Sequence, residues 1–138
     1  MHGRYLENEV LSADPIGLVQ LLYAGAIDAI RKARVFLREG DVHGRSATIT
    51  KAMQIILELQ SSLDLERGGE IAVNLARLYA YIQERLAEAN ARQALAPLDE
   101  VLQLLLTLDE GWGRAARQSM AAPPAEAVGA GSRANWTL

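Results

Sequence analysis

Two histidines, His2 and His43, are the only imidazoles of this chain, and it has no cysteine. Thiolate catalysis, disulfides and cysteine-ligated zinc therefore have no raw material. A carboxylate-bridged di-iron centre in a helix bundle needs Glu-x-x-His on two helices, and His43 stands beside Gly44 without that spacing. A phosphate-cradling loop needs a glycine-rich turn with its lysine, yet Lys32 and Lys51 both fall inside predicted helices. Gly68-Gly69 ahead of Glu70 offers free N–H groups at a helix start, and it reads as a turn rather than an anion site. No nucleophile is spaced from a base in a recognisable pattern. The chemistry-bearing residues thus point away from an enzyme, and no cofactor or metal is expected.

The elements that position the side chains are helical, because apolar residues recur at spacings of three and four while no alternating run is sustained. Asp14-Pro15 starts the first helix, with Pro at its first position, and Ile16, Val19, Tyr23, Ala26, Ile30, Ala33 and Leu37 form one stripe up to Glu39-Gly40. The second runs from about Gly44 to Leu63, with Ile49, Ala52, Ile56, Leu59 and Leu63 in rhythm. The third, from about Glu70 to Ala91, carries Ile71, Leu75, Leu78, Ile82, Leu86 and Ala89. The fourth, from about Pro97 to Arg117, carries Leu98, Val101, Leu105, Leu108, Trp112 and Ala115. Four such helices joined by short connections bury their stripes by packing antiparallel. The expected fold is all-α, an antiparallel up-and-down four-helix bundle with a short N-terminal helix or strap and a mobile C-terminal tail.

The chain of 138 residues has room for one domain, expected over 1–118, followed by a flexible Ala/Gly/Pro-rich tail over 119–138. Seventeen acidic against fourteen basic residues leave a net charge of −3, so no basic field exists to hold a nucleic-acid backbone. The first ten residues are too charged for a secretory leader, and no uncharged stretch is long enough for a bilayer span, so a cytoplasmic location is expected.

Apolar residues exceed what one core stripe per helix uses. Leu18, Leu21 and Leu22 lie off the first stripe, and Leu102, Leu104 and Leu106 surround the fourth. Wide buried faces under the N-terminal strap account for this excess, and so does a groove for a partner's amphipathic helix. Tyr79 and Tyr81 are about 200° apart around their helix, so both cannot face the core. Asn74 and Asn90 are expected to hydrogen-bond neighbouring segments, and Arg31, Lys32, Arg34 and Arg38 to form a solvated face.

The string SLDLERGGEIAVNLARLYAYI, Ser62 to Ile82, resembles the bacterial flagellar secretion chaperone family, FliS. Tyr5 followed by VLSADPIGLVQLLYAGAI, Ala89-Asn90 and the leucine-rich stretch from Val101 to Trp112 are similar to that family as well, so the likeness spans roughly 5–115. Ala24 departs from it, standing where the family has Asp. The resemblance implies a cytoplasmic, non-enzymatic chaperone that binds the C-terminal segment of flagellin. It would prevent premature polymerisation, support flagellar type III export, meet the export apparatus, and exist as a monomer or weak homodimer. A type III secretion chaperone or helical adaptor for a different client is the alternative, followed by a small bundle enzyme and a self-associating structural bundle. On this basis Tyr5, Leu6, Val10 and Leu11 are expected to form a displaceable lid. Ile55, Leu59, Tyr79, Tyr81, Leu102, Leu104 and Leu106 are assigned to the groove.

Overall fold

The computed structural model describes residues 15–121, which form four helices: α1 Pro15–Glu39, α2 Val42–Ser61, α3 Leu65–Arg92 and α4 Leu95–Ala121. The expected strap lies outside the described residues, as does the expected tail beyond Ala121; the tail's first three residues, 119–121, are the end of α4. Consecutive helices pack side by side and α4 returns to α1, so α1 and α3, like α2 and α4, face each other across the diagonal of an up-and-down bundle.

The helix ends follow from local chemistry. Pro15 opens α1, where its missing N–H costs nothing. Gly40, at φ 73°, closes it: its N–H reaches the Leu37 carbonyl at 3.2 Å and the Asp41 N–H reaches that of Phe36 at 2.9 Å, satisfying end carbonyls otherwise left bare. Asp41 then caps α2, its carboxylate accepting the Gly44 N–H at 2.9 Å, and Asp64 caps α3 through the Arg67 N–H at 3.1 Å. The Gly68-Gly69 break is real: Gly69 adopts φ 57°, ψ −135°, a region closed to side-chain-bearing residues, and sets the turn Leu65–Gly68 at an angle to the rest of α3. At the far end Gln93 takes the left-handed conformation at φ 52°, which a Cβ disfavours. Gln93→Gly is therefore expected to raise stability by about 1 kcal/mol, read as a shift of the urea midpoint at unchanged slope.

Burial follows the predicted stripes closely in α1, α2 and α4. Tyr23, Ile30, Ile49, Ile56, Leu59, Leu98, Val101 and Leu105 are sealed from solvent, Trp112 is buried, and Leu37, Leu63, Leu108 and Ala115 are partly covered. Small residues let α1 and α2 approach: Ala26, Ala29, Ala33 and Ala52 are buried, and a Cβ on Gly25 would meet the Ile55 methyl at 3.2 Å. Gly44 is tighter, since its Cβ would stand 2.7 Å from the Phe36 ring and 2.9 Å from the Asp41 carboxylate. Gly44→Ala is expected to cost about 1–3 kcal/mol despite alanine's better helix propensity, as measured by thermal or urea unfolding.

In α3 the stripe differs from expectation. Ala72, Leu75, Tyr79, Ile82, Leu86 and Ala89 are buried, Leu78 is half-buried, and Ile71 is 58% exposed. Residues 71 and 78 share the three-four rhythm with 72 and 79. The register that wins puts the Tyr79 ring at the bundle centre, where its hydroxyl meets that of Tyr23. Arg34 also departs from the solvated-face reading, pairing with Asp99 across the α1–α4 edge at 2.9 Å. Lys32 stays on the surface with Asp28.

Candidate partner-binding surface

Two polar arrangements fix how α3 sits in the bundle. The first is internal. Tyr23 and Tyr79 are completely buried on diagonal helices, their hydroxyls 2.8 Å apart and their rings edge-on at 6.5 Å between centroids. Trp112 also hydrogen-bonds Tyr23, and the indole N–H can only donate. Burial pushes both phenols above their ordinary value of 10.0, further for Tyr79. Asp109 lies close enough for its charge to act on Tyr23, and its own carboxyl is raised by desolvation.

The second is at the surface between α3 and α4. The Tyr81 hydroxyl donates to one oxygen of Glu100 at 2.7 Å, and the Arg85 guanidinium donates to the other at 2.6 Å while also pairing with Glu88. These donors hold the Glu100 carboxyl below its ordinary 4.5, Tyr81 contributing most and Arg85 next. A lowered folded-state value means stabilisation present above the unfolded value and lost as pH falls through the folded one. Glu100→Gln is expected to flatten the acid limb of the stability curve below about pH 4.5, as followed by urea midpoints across pH.

In the antiparallel register marked by this clamp, helical spacing puts Leu78 and Leu104 one turn further along the same edge, with Ile71 and Leu108 beyond and the exposed Asn74 and Thr107 between them. Leu78, Leu104 and Leu108 pack partly on the core, and Ile71 stands out from it. The seam thus has a charged end and an apolar end. Such a surface recognises an amphipathic helix, burying its apolar face while the polar end fixes orientation.

Of the groove residues named from sequence, Tyr81, at 39% exposure, and partly covered Leu104 lie along this seam. Leu106 is half-buried and shares the helix face of Asp99, the edge toward α1. Ile55 is partly buried against Gly25 of α1. Leu59, Tyr79 and Leu102 are in the core, at 1%, 0% and 5% exposure, so the bundle offers no surface at those positions. Tyr5, Leu6, Val10 and Leu11 lie outside the described residues. Sequence reasoning placed Ile71 in the core and did not single out Leu57 or Val73, which are exposed on α2 and α3. The signal for Ile71 was its place beside Gly69, where the stripe can begin one residue later. Among the described residues no group of three or more His, Cys, Asp or Glu is placed to hold a metal ion, and no helix is long and apolar enough to cross a membrane.

The sequence matches the family model described as flagellar protein FliS over residues 1–119. It is 43% identical over 108 residues to the flagellar secretion chaperone FliS of Salmonella typhimurium, covering 78% of this chain and 80% of that protein. It is 42% identical over 107 residues to the flagellar secretion chaperone FliSB of Pseudomonas aeruginosa, covering 78% and 85%. The FliS protein of Bacillus subtilis is 30% identical over 111 residues, covering 80% and 82%. Because the match runs through all four helices, including the clamp and the buried tyrosine pair, the chain belongs to the FliS family of flagellar proteins.

Proposed function

We propose that this protein is an export chaperone of the flagellum that binds the C-terminal segment of flagellin and holds it as a monomer until the export apparatus takes it. The observation that carries the reading is family membership, since the relatives bear the name flagellar secretion chaperone. The seam between α3 and α4 supplies a physical means: the exposed Ile71 and the half-buried Leu78 and Leu104, with a charged clamp at one end. No bond chemistry is required. Apolar client surface leaves water against the bundle at about 25 cal/mol per Å², and the cost of ordering the client holds the net affinity down and release possible.

Tyr81, Leu104 and Ile71 form the centre of the contact surface in this reading, with Leu106 and Ile55 on adjoining edges for a client that wraps further round. Leu59, Tyr79 and Leu102 act from beneath by shaping the surface. Tyr5, Leu6, Val10 and Leu11 form a lid that the client displaces. Deleting residues 1–11 then strengthens client binding and raises aggregation of the free protein, and unchanged values for both would remove the lid from the account.

The deciding experiment is calorimetric titration with the C-terminal segment of flagellin from the same organism, with circular dichroism on the mixture. One-to-one binding with more helix than the sum of the parts supports the reading. A folded bundle that shows no binding at tens of micromolar sends the search to another client.

A further inference from the structure

Arg45 is the one charged residue buried among the described residues, at 6% exposure, and none of their carboxylates lies within ion-pair distance of it. It occupies the first turns of α2, opposite the end of α3. Its Nε–H donates to the Asn90 side-chain oxygen at 3.2 Å, and the same oxygen accepts the Ser46 hydroxyl, also at 3.2 Å. Two donors on one amide oxygen hold the guanidinium plane in place. The terminal amino groups make no hydrogen bond among the described residues.

Burying a cation without an anion is costly, and the carboxyl end of α3 offsets that cost only in part, because dipole attraction leaves the outer N–H bonds without acceptors. The other interhelical arginines, Arg34 and Arg85, each have a carboxylate. Arg45 has instead a neutral amide that orients it and does not neutralise it. A planar fork held by its Nε, with its amino groups left without acceptors, matches the two oxygens of a carboxylate.

We infer that Arg45 is a carboxylate-binding point, with Asn90 and Ser46 as its positioning residues, and that the carboxylate is supplied by the flagellin segment. The flagellin part of this inference rests on the function proposed above. The carboxylate-binding part does not. Either the free C-terminus of the segment or one of its acidic side chains provides the group.

The test has two arms. In the first, the 15N-labelled full chain is titrated with sodium acetate against sodium chloride at equal ionic strength, and the Arg45 Nε–H resonance is followed. A saturable shift with acetate alone, weakened in Asn90→Ala, supports the site, and equal response to both salts overturns it. In the second, wild type, Arg45→Gln and Arg45→Lys are titrated with three flagellin C-terminal peptides: native, C-terminally amidated, and with acidic side chains changed to amides. Circular dichroism establishes that each variant is folded. The expected result is a loss of roughly tenfold or more for Arg45→Gln with the native peptide, vanishing with whichever altered peptide lacks the matching carboxylate. Arg45→Lys, if Arg45→Gln is poorly folded, keeps the charge without the fork and shows a smaller loss of the same pattern. Equal weakening toward all three peptides means a structural role and overturns the flagellin assignment, as does no weakening. An acetate response without any peptide binding would retain the site and reject flagellin as the client.

Discussion

Tyr79→Ala is expected to lower the unfolding free energy by about 3–5 kcal/mol, the range for deleting a large aromatic ring from a packed core. Tyr79 is sealed from solvent in the bundle core, so its removal opens a cavity within that buried cluster. It also strands the Tyr23 hydroxyl, which keeps only Trp112. Conservative variants separate the two effects. Tyr79→Phe and Tyr23→Phe are each expected to cost about 1–3 kcal/mol, because each leaves a buried hydroxyl short of a partner. The double variant removes both hydroxyls and is expected to cost less than the sum, a coupling that urea denaturation of the four proteins measures. The same pair shapes the alkaline limb. Both phenols are raised above 10.0 by burial, so the folded state retains protons that the unfolded chain gives up. Their stabilising contribution is complete below the unfolded value and declines as pH rises above about 10. Tyr79→Phe should therefore flatten the loss of stability above pH 10, and an identical slope in both proteins would contradict the assignment.

Ile71→Glu is expected to weaken binding of the flagellin segment by roughly tenfold or more while leaving the melting temperature nearly unchanged. Ile71 is 58% exposed, so the free protein gains little from it, whereas covering an isoleucine side chain in a complex is worth about 1.5–3 kcal/mol. Leu104→Glu offers the contrast. Leu104 packs partly on the core, so it is expected to lose affinity and stability together. Titration and thermal unfolding of the two variants decide the matter. Full affinity in Ile71→Glu would move the contact surface away from the seam between α3 and α4.

The bundle itself was legible because its signals were redundant: Asp14-Pro15 at the first helix start, glycines at 40 and 69, and apolar stripes whose spacing matches the turn of a helix, whereas the caps Asp41 and Asp64 were passed over. Where two stripes competed, as at Leu78 and Tyr79, spacing was silent and the hydroxyl of Tyr23 on a distant helix decided. Leu102 and Leu59 show the limit for a surface. Sequence reveals that a residue is apolar, and which side of the seam it falls on depends on the roll of one helix against another. The clamp of Tyr81, Arg85 and Glu100 was invisible for a similar reason, since its members come from two helices whose register only the packed structure sets. Asn90 was expected to bond a neighbouring segment and does so, whereas the arginine it holds drew no notice, because an arginine in a polar stretch gives no sign that it will be buried.

The connections have a kinetic consequence. Each helix is followed at once by the next, through Gly40 and Asp41, then Ser62 to Asp64, then Gln93 and Ala94, so each packs on its neighbour along the chain and only the α4–α1 closure joins the two ends. Helical bundles of such low contact order fold in microseconds to milliseconds. A ribosome adding roughly 5–20 residues per second spends longer than that on a single residue. Once released, this bundle completes its folding before one further amino acid joins any chain still being made.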